Sequence, residues 1–291
     1  MKIATAAYPL DMLTSWAQYE DKLSSWVGTA ADKGADLLVF PEYGAMELST
    51  LDGLDVARDL EKSLFSVSDR ISDADSLHQR LAAEHNVHIV AASAPAATNT
   101  RPVNRARLIS PTGQIGVQDK QIMTRFERDV WNVVGGGPLQ IFDTELGRIG
   151  ILICYDSEFP LLGRALSTCD IIAVPSVTEA LAGYWRVRTG SMARALENQC
   201  VTAMSSVVGQ ADWSEALGSC VGTGGIFCPM DTGFPSDGVL AVGEIGTPGW
   251  TYADVDIETI ANVRADGVVL NRAHWDEQLG RDRTPDPTSL R

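Results

Sequence analysis

A cysteine closes an apolar run in the segment GILICYDSEFP, residues 150–160. The thiolate is the nucleophilic form of cysteine, and a free thiol with a pKa of about 8.5 is mostly protonated at neutral pH. Asp156 and Glu158 follow closely, and nearby carboxylates raise the pKa of a thiol further. Cys154 is therefore either an inert buried thiol or a nucleophile whose base and compensating cation lie elsewhere in the chain.

Histidine is the usual base beside a catalytic cysteine. The chain has four histidines, at His78, His85, His88 and His274, and none has a motif context. His85 and His88 also lack the further ligands that a zinc site needs. We interpret the histidines as surface or hydrogen-bonded core residues, although a cysteine–histidine dyad stays open.

The lysines point to a cation for the thiolate. The chain has five lysines against eighteen arginines, and Lys120 is the only lysine after residue 62. It stands at the end of a predicted strand. An ammonium is a compact donor that can contact a small oxyanion, whereas a guanidinium is a broad planar fork. Codon bias is the alternative explanation for this isolated lysine.

Apolar runs and helical spacing predict alternating strands and helices, which is typical of α/β folds. We expect strands at 2–8, 36–40, 86–94, 149–154, 170–175 and 200–208, and helices around 16–30, 71–82 and 185–196. Residues 105–120 read as a β-hairpin that turns at Pro111-Thr112-Gly113. We expect one domain over residues 1–280 and a C-terminal tail over 281–291, either extended or disordered.

Two chemically active side chains follow predicted strands. The run DLLVF leads into Pro41-Glu42, and IGILI leads into Cys154. In sheets of this kind functional groups gather beyond the carboxyl ends of the strands, so Glu42 and Cys154 are predicted to face one crevice. Alternatively, Pro41-Glu42 only begins a surface loop.

Composition limits the partners and the location. The formal net charge of −15 argues against non-specific binding to nucleic acid or to an anionic membrane. No run of about 18 apolar residues predicts a membrane span. The five cysteines are odd in number and irregularly spaced, which disfavours a disulfide framework or a zinc site. We expect a cytoplasmic protein with neither cofactor nor metal.

Four segments of the chain belong together: GADLLVFPEYGAMEL (34–48), DKQIMTRFERDVW (119–131), GRIGILICYDSEFP (147–160) and RALENQ (194–199). In combination they resemble the nitrilase superfamily of carbon–nitrogen hydrolases, in its amidase-like branch. They follow the order of the family, and the resemblance runs from residue 2 to about 265. It implies a four-layer α-β-β-α sandwich whose subunits pair through their helical faces, so we expect at least a homodimer.

The resemblance assigns a catalytic role to each residue that matches the family motif. It implies that Cys154 is the nucleophile, Glu42 the general base and Lys120 the cation. Lys120 and the backbone N–H of Tyr155 would stabilise the oxyanion. Glu127 would position the lysine and the attacking water, although the charged stretch RFERD could simply be solvated.

Further site residues are inferred from their position near these four. The substrate-binding candidates are Tyr155, Phe126, Trp131, Thr178, Glu179, Tyr184 and Trp185, and the aromatic ones could equally be core residues. We expect Gly135-Gly136-Gly137 to form a tight loop that lines the pocket. We also expect Asp156 and Glu158 to form ion pairs with Arg164 or Arg194.

The residues after the cysteine bear on the substrate. True nitrilases usually carry Trp-Glu at this point, whereas this chain has Tyr155-Asp156, as amidase-like members do. We therefore predict a small-molecule amide, cleaved through a thioester to an acid and ammonia. Glu158 stands where omega-amidase-like members commonly have arginine, which disfavours a dicarboxylate monoamide. The alternatives are a nitrilase, an N-carbamoyl amide hydrolase, or an acyltransferase that uses the same thioester.

Overall fold

The computed structural model describes residues 1–290. The β-strands are β1 (Lys2–Pro9), β2 (Leu37–Val39), β3 (His88–Ala96), β4 (Val103–Ile109), β5 (Ile115–Asp119), β6 (Ile141–Thr144), β7 (Gly147–Ile151), β8 (Ile171–Ser176), β9 (Val201–Gln210), β10 (Ser219–Cys220), β11 (Gly225–Phe227), β12 (Val239–Val242) and β13 (Gly249–Asp254). The α-helices are α1 (Trp16–Ala31), α2 (Leu54–Ala57), α3 (Leu60–His85), α4 (Arg125–Asp129), α5 (Pro160–Ala165), α6 (Leu181–Asn198) and α7 (Ile257–Asp266). Short 3-10 helices cover Gly44–Asp52, Cys154–Glu158 and Trp275–Gln278.

The strands form one mixed sheet in the order β5-β4-β3-β2-β1-β9-β8-β7-β6, with β13 beside β1 and β11 beside β9. Strands β2 and β3 contact β8, although several strands separate them in the hydrogen-bonded order. The sheet is therefore folded so that its two halves face each other. Helices α1 and α3 cover one half, and α5 and α6 cover the other. This is the predicted four-layer α-β-β-α arrangement, which is confirmed.

The two ends of the sheet nearly close. Gly116 of β5 lies directly against the ring of Phe142 of β6, so that a Cβ at Gly116 would come within 2.4 Å of the ring. Beside them, the backbone N–H of Gln140 donates to Oε1 of Gln118 at 2.7 Å. Side chains thus join the two edge strands where no strand pairing is made.

Two apolar cores hold the layers together. One lies between the sheet and helices α1 and α3, and it includes Leu23, Leu64 and Phe40. The other lies between the two halves of the sheet and beneath α6, and it includes Val39, Ile151 and Ala173. Because neighbouring residues of a buried strand point to opposite faces, Val39 and Phe40 enter different cores.

The predicted elements are present, with changed limits. The helix expected around residues 71–82 begins at Leu60, where the side chain of Asp59 accepts the N–H of Lys62 at 2.8 Å and caps the first turn. The hairpin forms from β4 and β5, with Gly113 at a φ of 80° in its turn. Strand β7 ends at Ile151 rather than at Cys154, which instead begins a 3-10 turn.

No helix among residues 1–290 is long and apolar enough to cross a membrane. Residues 282–290 of the predicted tail contain neither helix nor strand and are exposed. Arg291, the last residue of that tail, lies outside the described residues.

Candidate active site

Strand direction brings the predicted catalytic residues together. Strands β2, β7 and β8 are linked by parallel pairings through β1 and β9, and β5 has the same direction because two antiparallel pairings connect it to β3. Their carboxyl ends therefore meet at one edge of the fold. Glu42 follows β2, Lys120 follows β5 and Cys154 follows β7, and all three line one cavity of about 340 Å³.

Lys120 bridges two carboxylates at the base of this cavity. Its side chain is 1% exposed, and its Nζ donates to Glu42 Oε1 at 2.7 Å and to Glu127 Oε2 at 2.6 Å. Burial lowers the pKa of a lysine, but the charges of Glu42 and Glu127 outweigh burial and raise the pKa of Lys120. Lys120 is therefore a fixed cation, and an ammonium has a third N–H to offer to the cavity.

Glu42 has the properties of a base at neutral pH. Asn104 Nδ2 donates to its Oε1 at 2.9 Å, and the backbone N–H of Val177 donates to its Oε2 at 3.1 Å. Burial raises the pKa of Glu42 to about 7 against the opposing charge of Lys120, and the charge of Glu127 adds to the rise. A general base works best when its pKa lies near the operating pH.

Glu127 is held as a carboxylate. It closes a capping box at the start of α4, in which Thr124 donates its N–H and its hydroxyl to Glu127 Oε2, both at 2.9 Å. Tyr43 Oη donates to Oε1 at 2.9 Å. Burial favours the neutral acid, but the charge of Lys120 and these hydrogen bonds outweigh it and lower the pKa of Glu127. Glu127 is 3% exposed, so the alternative of a solvated glutamate is wrong.

Cys154 occupies a strained turn beside Glu42. Its φ of 49° lies in the left-handed region, which a non-glycine residue rarely adopts and which is often found at functional sites. The hydroxyl of Ser157 donates to the Cys154 carbonyl at 2.7 Å and stabilises the turn. Burial and then the charge of Glu42 raise the pKa of Cys154 well above its usual value. These effects favour the neutral thiol, so formation of the thiolate would require a base.

Asp156 connects the cysteine turn to the lysine segment. It is 1% exposed and accepts the backbone N–H of Gln121 at 3.1 Å and of Ile122 at 2.9 Å. Burial raises the pKa of Asp156 to about 6, while these N–H groups and Lys120 oppose the rise. The prediction that an arginine pairs with Asp156 is wrong, because backbone donors satisfy the carboxylate instead.

The predicted partner of Glu158 is also wrong. Its Oε1 lies 3.4 Å from the Nε of Arg186 on α6, and neither Arg164 nor Arg194 forms an ion pair with it in the part of the chain that the structure describes. Helical spacing explains the difference. Arg186 lies near the start of α6 beside the cavity, whereas Arg194 lies two turns further on and pairs with Glu197 at 2.9 Å.

Five of the seven predicted substrate-binding residues line the cavity: Tyr155, Phe126, Trp131, Thr178 and Glu179. Tyr184 and Trp185 do not, and their prediction is corrected. Tyr184 is 1% exposed and packs in the core beneath α6, while Trp185 is 47% exposed and lies outside the cavity lining. Residues 182, 183, 186 and 187 face the cavity instead, as expected for one stripe of a helix.

The glycine loop does not line the cavity, in contrast to the prediction. The N–H of Gly137 donates to Asp119 Oδ2 at 3.1 Å, and the N–H of Gly136 donates to the carbonyl of Lys120 at 3.1 Å. A Cβ at Gly136 would lie 2.2 Å from the Cβ of Asp119, so only glycine permits this approach. The loop therefore supports Lys120 from behind.

Several site residues were not predicted from the sequence. They are Tyr43, Asn104, Thr124, Val177, Arg186 and Leu217. The Thr-x-x-Glu spacing of a capping box would have indicated Thr124. Asn104 has no such signal, because the antiparallel pairing of β4 with β3 and β5 alone places it beneath Glu42.

Neither a metal site nor a histidine base is formed by the described residues. No group of three or more histidine, cysteine or acidic side chains among residues 1–290 is placed to hold a metal ion. None of the histidines lines the cavity in that part of the chain. His78, for example, is buried against the Ala74 carbonyl, and burial lowers its pKa to about 4. All five cysteines are free.

Comparison with known proteins agrees with this geometry. The carbon–nitrogen hydrolase family matches residues 2–227. The probable hydrolase YhcX of Bacillus subtilis is 32% identical over 272 residues, which cover 92% of this chain and 52% of that protein. Nitrilase 3 of Arabidopsis thaliana is 31% identical over 159 residues, covering 50% of this chain and 45% of that protein. The chain thus spans about half the length of these curated relatives.

A solved structure has the same fold. An amidase from Nesterenkonia sp. AN1, in a form with acrylamide added to its active-site cysteine, is 21% identical, with a TM-score of 0.67 over 91% of this chain and 97% of that chain. The extent of the family match and the shared fold lead to one conclusion: the chain belongs to the carbon–nitrogen hydrolase family of the nitrilase superfamily.

Proposed function

We propose that the protein is an amidase that hydrolyses a small-molecule amide through a thioester on Cys154. The observation that carries the proposal is the buried bridge of Lys120 between Glu42 and Glu127, which lines the same cavity of small-molecule size as Cys154. A buried base, a fixed cation and a thiol are the groups that covalent acyl transfer requires.

In the first half-reaction, Glu42 takes the Cys154 proton as the sulfur attacks the amide carbon. The new S–C bond converts the carbonyl oxygen into an oxyanion, which the free N–H of Lys120 and the backbone N–H of Tyr155 stabilise. Glu42 then returns the proton to the amide nitrogen. The C–N bond breaks, ammonia or an amine leaves, and the acyl group remains on sulfur as a thioester.

The second half-reaction uses the same base. Glu42 is again a carboxylate and removes a proton from water, which attacks the thioester carbon and releases the carboxylic acid. The proton returns to the Cys154 sulfur. Glu127 holds Lys120 in place throughout, since its Oε2 accepts the lysine at 2.6 Å. A base with a pKa of about 7 can perform both proton transfers at neutral pH.

Structures of the Nesterenkonia amidase support one part of this chemistry, a nucleophilic cysteine. In a mutant of that enzyme the active-site cysteine carries the product of Michael addition of acrylamide, and in a second structure of the mutant it carries the acetamide group of fluoroacetamide. Both reagents are amides that reach the cysteine of that enzyme. Here Tyr155-Asp156 after the cysteine also favours an amide over a nitrile.

Substrate profiling tests the proposal directly. Purified protein would be offered amides, N-carbamoyl compounds and nitriles, with ammonia release as the readout. We expect amides to be hydrolysed and mass spectrometry to find the acyl group on the peptide that contains Cys154. Turnover of nitriles alone would replace the proposal with a nitrilase, and acyl transfer to an amine in preference to water would replace it with an acyltransferase.

A further inference from the structure

The charged residues of the cavity form two sets that differ in depth. Glu42, Lys120 and Glu127 are each 3% exposed or less and lie at the reacting end. Glu158, Glu179 and Arg186 line the same cavity but reach solvent. The catalytic mechanism uses the deep set and has no task for the outer set, which faces the part of a substrate remote from the scissile bond.

The outer set is acidic on balance. It holds two carboxylates, Glu158 and Glu179, against the single guanidinium of Arg186. The Glu158 side chain is 22% exposed and the Arg186 side chain 62%, at a separation of 3.4 Å. An ion pair this exposed is weak, so Arg186 does not cancel Glu158 fully. The deep set adds two carboxylates against one ammonium, and the whole cavity therefore has an excess of negative charge.

Two aromatic side chains of the cavity lining, Phe126 and Tyr155, are half-buried and so lie between the two sets in exposure. Trp131 is 2% exposed and packs against Phe126. Aromatic faces attract cations, so they reinforce the effect of the carboxylates. A neutral substrate gains nothing from the outer charges, and an anionic one is repelled.

We propose that the cavity selects amides with an ammonium or guanidinium group at the end remote from the scissile bond, and that Glu158 and Glu179 are the residues that select it. The inference rests on the proposed amidase function and names its substrate class. Arg186 is the counterion of Glu158, at 3.4 Å. A bound cation competes with Arg186 for Glu158, whereas Glu179 forms no ion pair among residues 1–290.

Three amides of matched chain length test this selection: ε-aminocaproamide, which is cationic, heptanamide, which is neutral, and adipamic acid, which is anionic. We expect kcat/KM in the order cationic, neutral, anionic, with about tenfold between the first two at low ionic strength, since one charge contact of this kind is moderate in a solvated site. The preference should shrink as salt is added, because salt screens exposed charges.

Variants locate the origin of the preference. Glu158→Gln and Glu179→Gln should each reduce the ratio of cationic to neutral turnover, while Arg186→Gln should increase it. Glu84→Gln, which makes the same charge change on the exposed surface of α3, should leave the ratio unaltered. A preference for adipamic acid that disappears in Arg186→Gln would overturn the proposal, as would equal kcat/KM for all three amides.

A second readout does not depend on turnover. Cys154 would be alkylated with N-(3-aminopropyl)iodoacetamide, N-butyliodoacetamide or N-(2-carboxyethyl)iodoacetamide, whose end groups lie about as far from the reacting carbon as those of the three amides. Each rate would be divided by the rate of the same reagent with a free thiol in solution. In each case the sulfur displaces a halide ion, and the thiol proton passes to Glu42 or water. We expect the normalised rates to fall from cation to anion in the wild type, and to become nearly equal in Glu158→Gln/Glu179→Gln.

The two experiments separate the two proposals. Hydrolysis of heptanamide without any charge preference would keep the amidase and end the charge selection. Normalised alkylation rates that are independent of charge would end the selection whether or not any amide is turned over. Charge-dependent alkylation with no amide hydrolysed would end the amidase and leave a cation-selective cavity.

Discussion

The Nζ of Lys120 lies 2.7 Å from Oε1 of Glu42, and both side chains are 1% exposed. Removing both charges of such a pair from water costs free energy. Their attraction offsets that cost only when further hydrogen bonds satisfy both groups. Here Asn104 and Val177 donate to Glu42, and Glu127 accepts from Lys120, so each charge is satisfied. The pair therefore contributes little to the free energy of folding, but it fixes a carboxylate and an ammonium next to Cys154.

Replacing Cys154 with alanine should abolish turnover and leave the fold intact, because the thiol carries the acyl group in the proposed mechanism. The measurement is kcat, with the unfolding midpoint as a check on folding. Wild-type protein incubated with a slow amide should gain the acyl mass on the Cys154 peptide. Acylation at Cys169, Cys200, Cys220 or Cys228 instead would contradict the assignment.

Lys120→Arg should lower kcat by a factor of about 10²–10³, the usual cost of losing one oxyanion donor, although the positive charge is kept. A planar guanidinium cannot occupy the point between Glu42 and Glu127 that the ammonium fills. Lys62→Arg, at a residue with a side chain 65% exposed, is the matched control and should be fully active. Near-normal activity in Lys120→Arg would mean that Lys120 takes no part in the reaction.

The pH dependence of the reaction should report Glu42. The base must be deprotonated, so kcat/KM should rise with pH through about 7, the pKa of Glu42 in the folded protein. The charge of Glu127 contributes to raising that pKa. Glu127→Gln should therefore shift the rising limb to lower pH while reducing its plateau, since Lys120 loses a partner. A rising limb that moves to higher pH, or does not move, would show that a group other than Glu42 controls the pH dependence.

Asp156→Asn should reduce both stability and kcat. The carboxylate accepts N–H groups from Gln121 and Ile122, and an asparagine would face the same donors with an amide NH₂ in place of one oxygen. An unsatisfied buried group costs about 1–3 kcal/mol. The free energy of unfolding from a denaturant titration measures this loss. Asp73→Asn on the exposed surface of α3 should change neither quantity. Equal behaviour of the two variants would mean that Asp156 does not hold the cysteine turn against the lysine segment.

The sequence was most informative about the ends of buried strands. Glu42 and Cys154 each follow an apolar run, Lys120 follows the second strand of the predicted hairpin, and strand direction alone brings such residues to one edge of a sheet. The resemblance to a family then added Glu127 and the two-sheet architecture, which the strand pattern allowed but did not reveal. These features depend on the order of residues along the chain, which can be read directly from a sequence.

Features that depend on helix phase or on backbone donors were not predictable in the same way. Tyr184 and Arg186 are two residues apart on α6, and one enters the core while the other faces the cavity. The residue at which the helix begins determines which side chains face the core and which face the cavity. Ala180, the residue before the helix, has no side chain that caps it, so the sequence does not mark this start. Likewise, the acidity of Asp156 suggested an arginine partner. A sequence does not show which backbone N–H groups will donate to a carboxylate.

The last prediction concerns assembly. Leu161 on α5 is 77% exposed, and on the adjoining α6 Leu181 and Trp185 are 50% and 47% exposed. Exposed apolar side chains on two helices that pack together are a candidate interaction surface. The resemblance to the family implies pairing through the helical faces, with the region after Cys154, including Phe159, Leu161 and Leu162, as one contact. We expect a homodimer with two-fold symmetry, in which the partner covers this face. Because α6 also carries Arg186 of the cavity lining, dissociation should lower activity.

Sedimentation at micromolar concentration measures the oligomeric state. Leu161→Glu should yield a monomer of 31.3 kDa with reduced kcat, whereas a wild-type protein that sediments at that mass and is fully active would disprove the dimer.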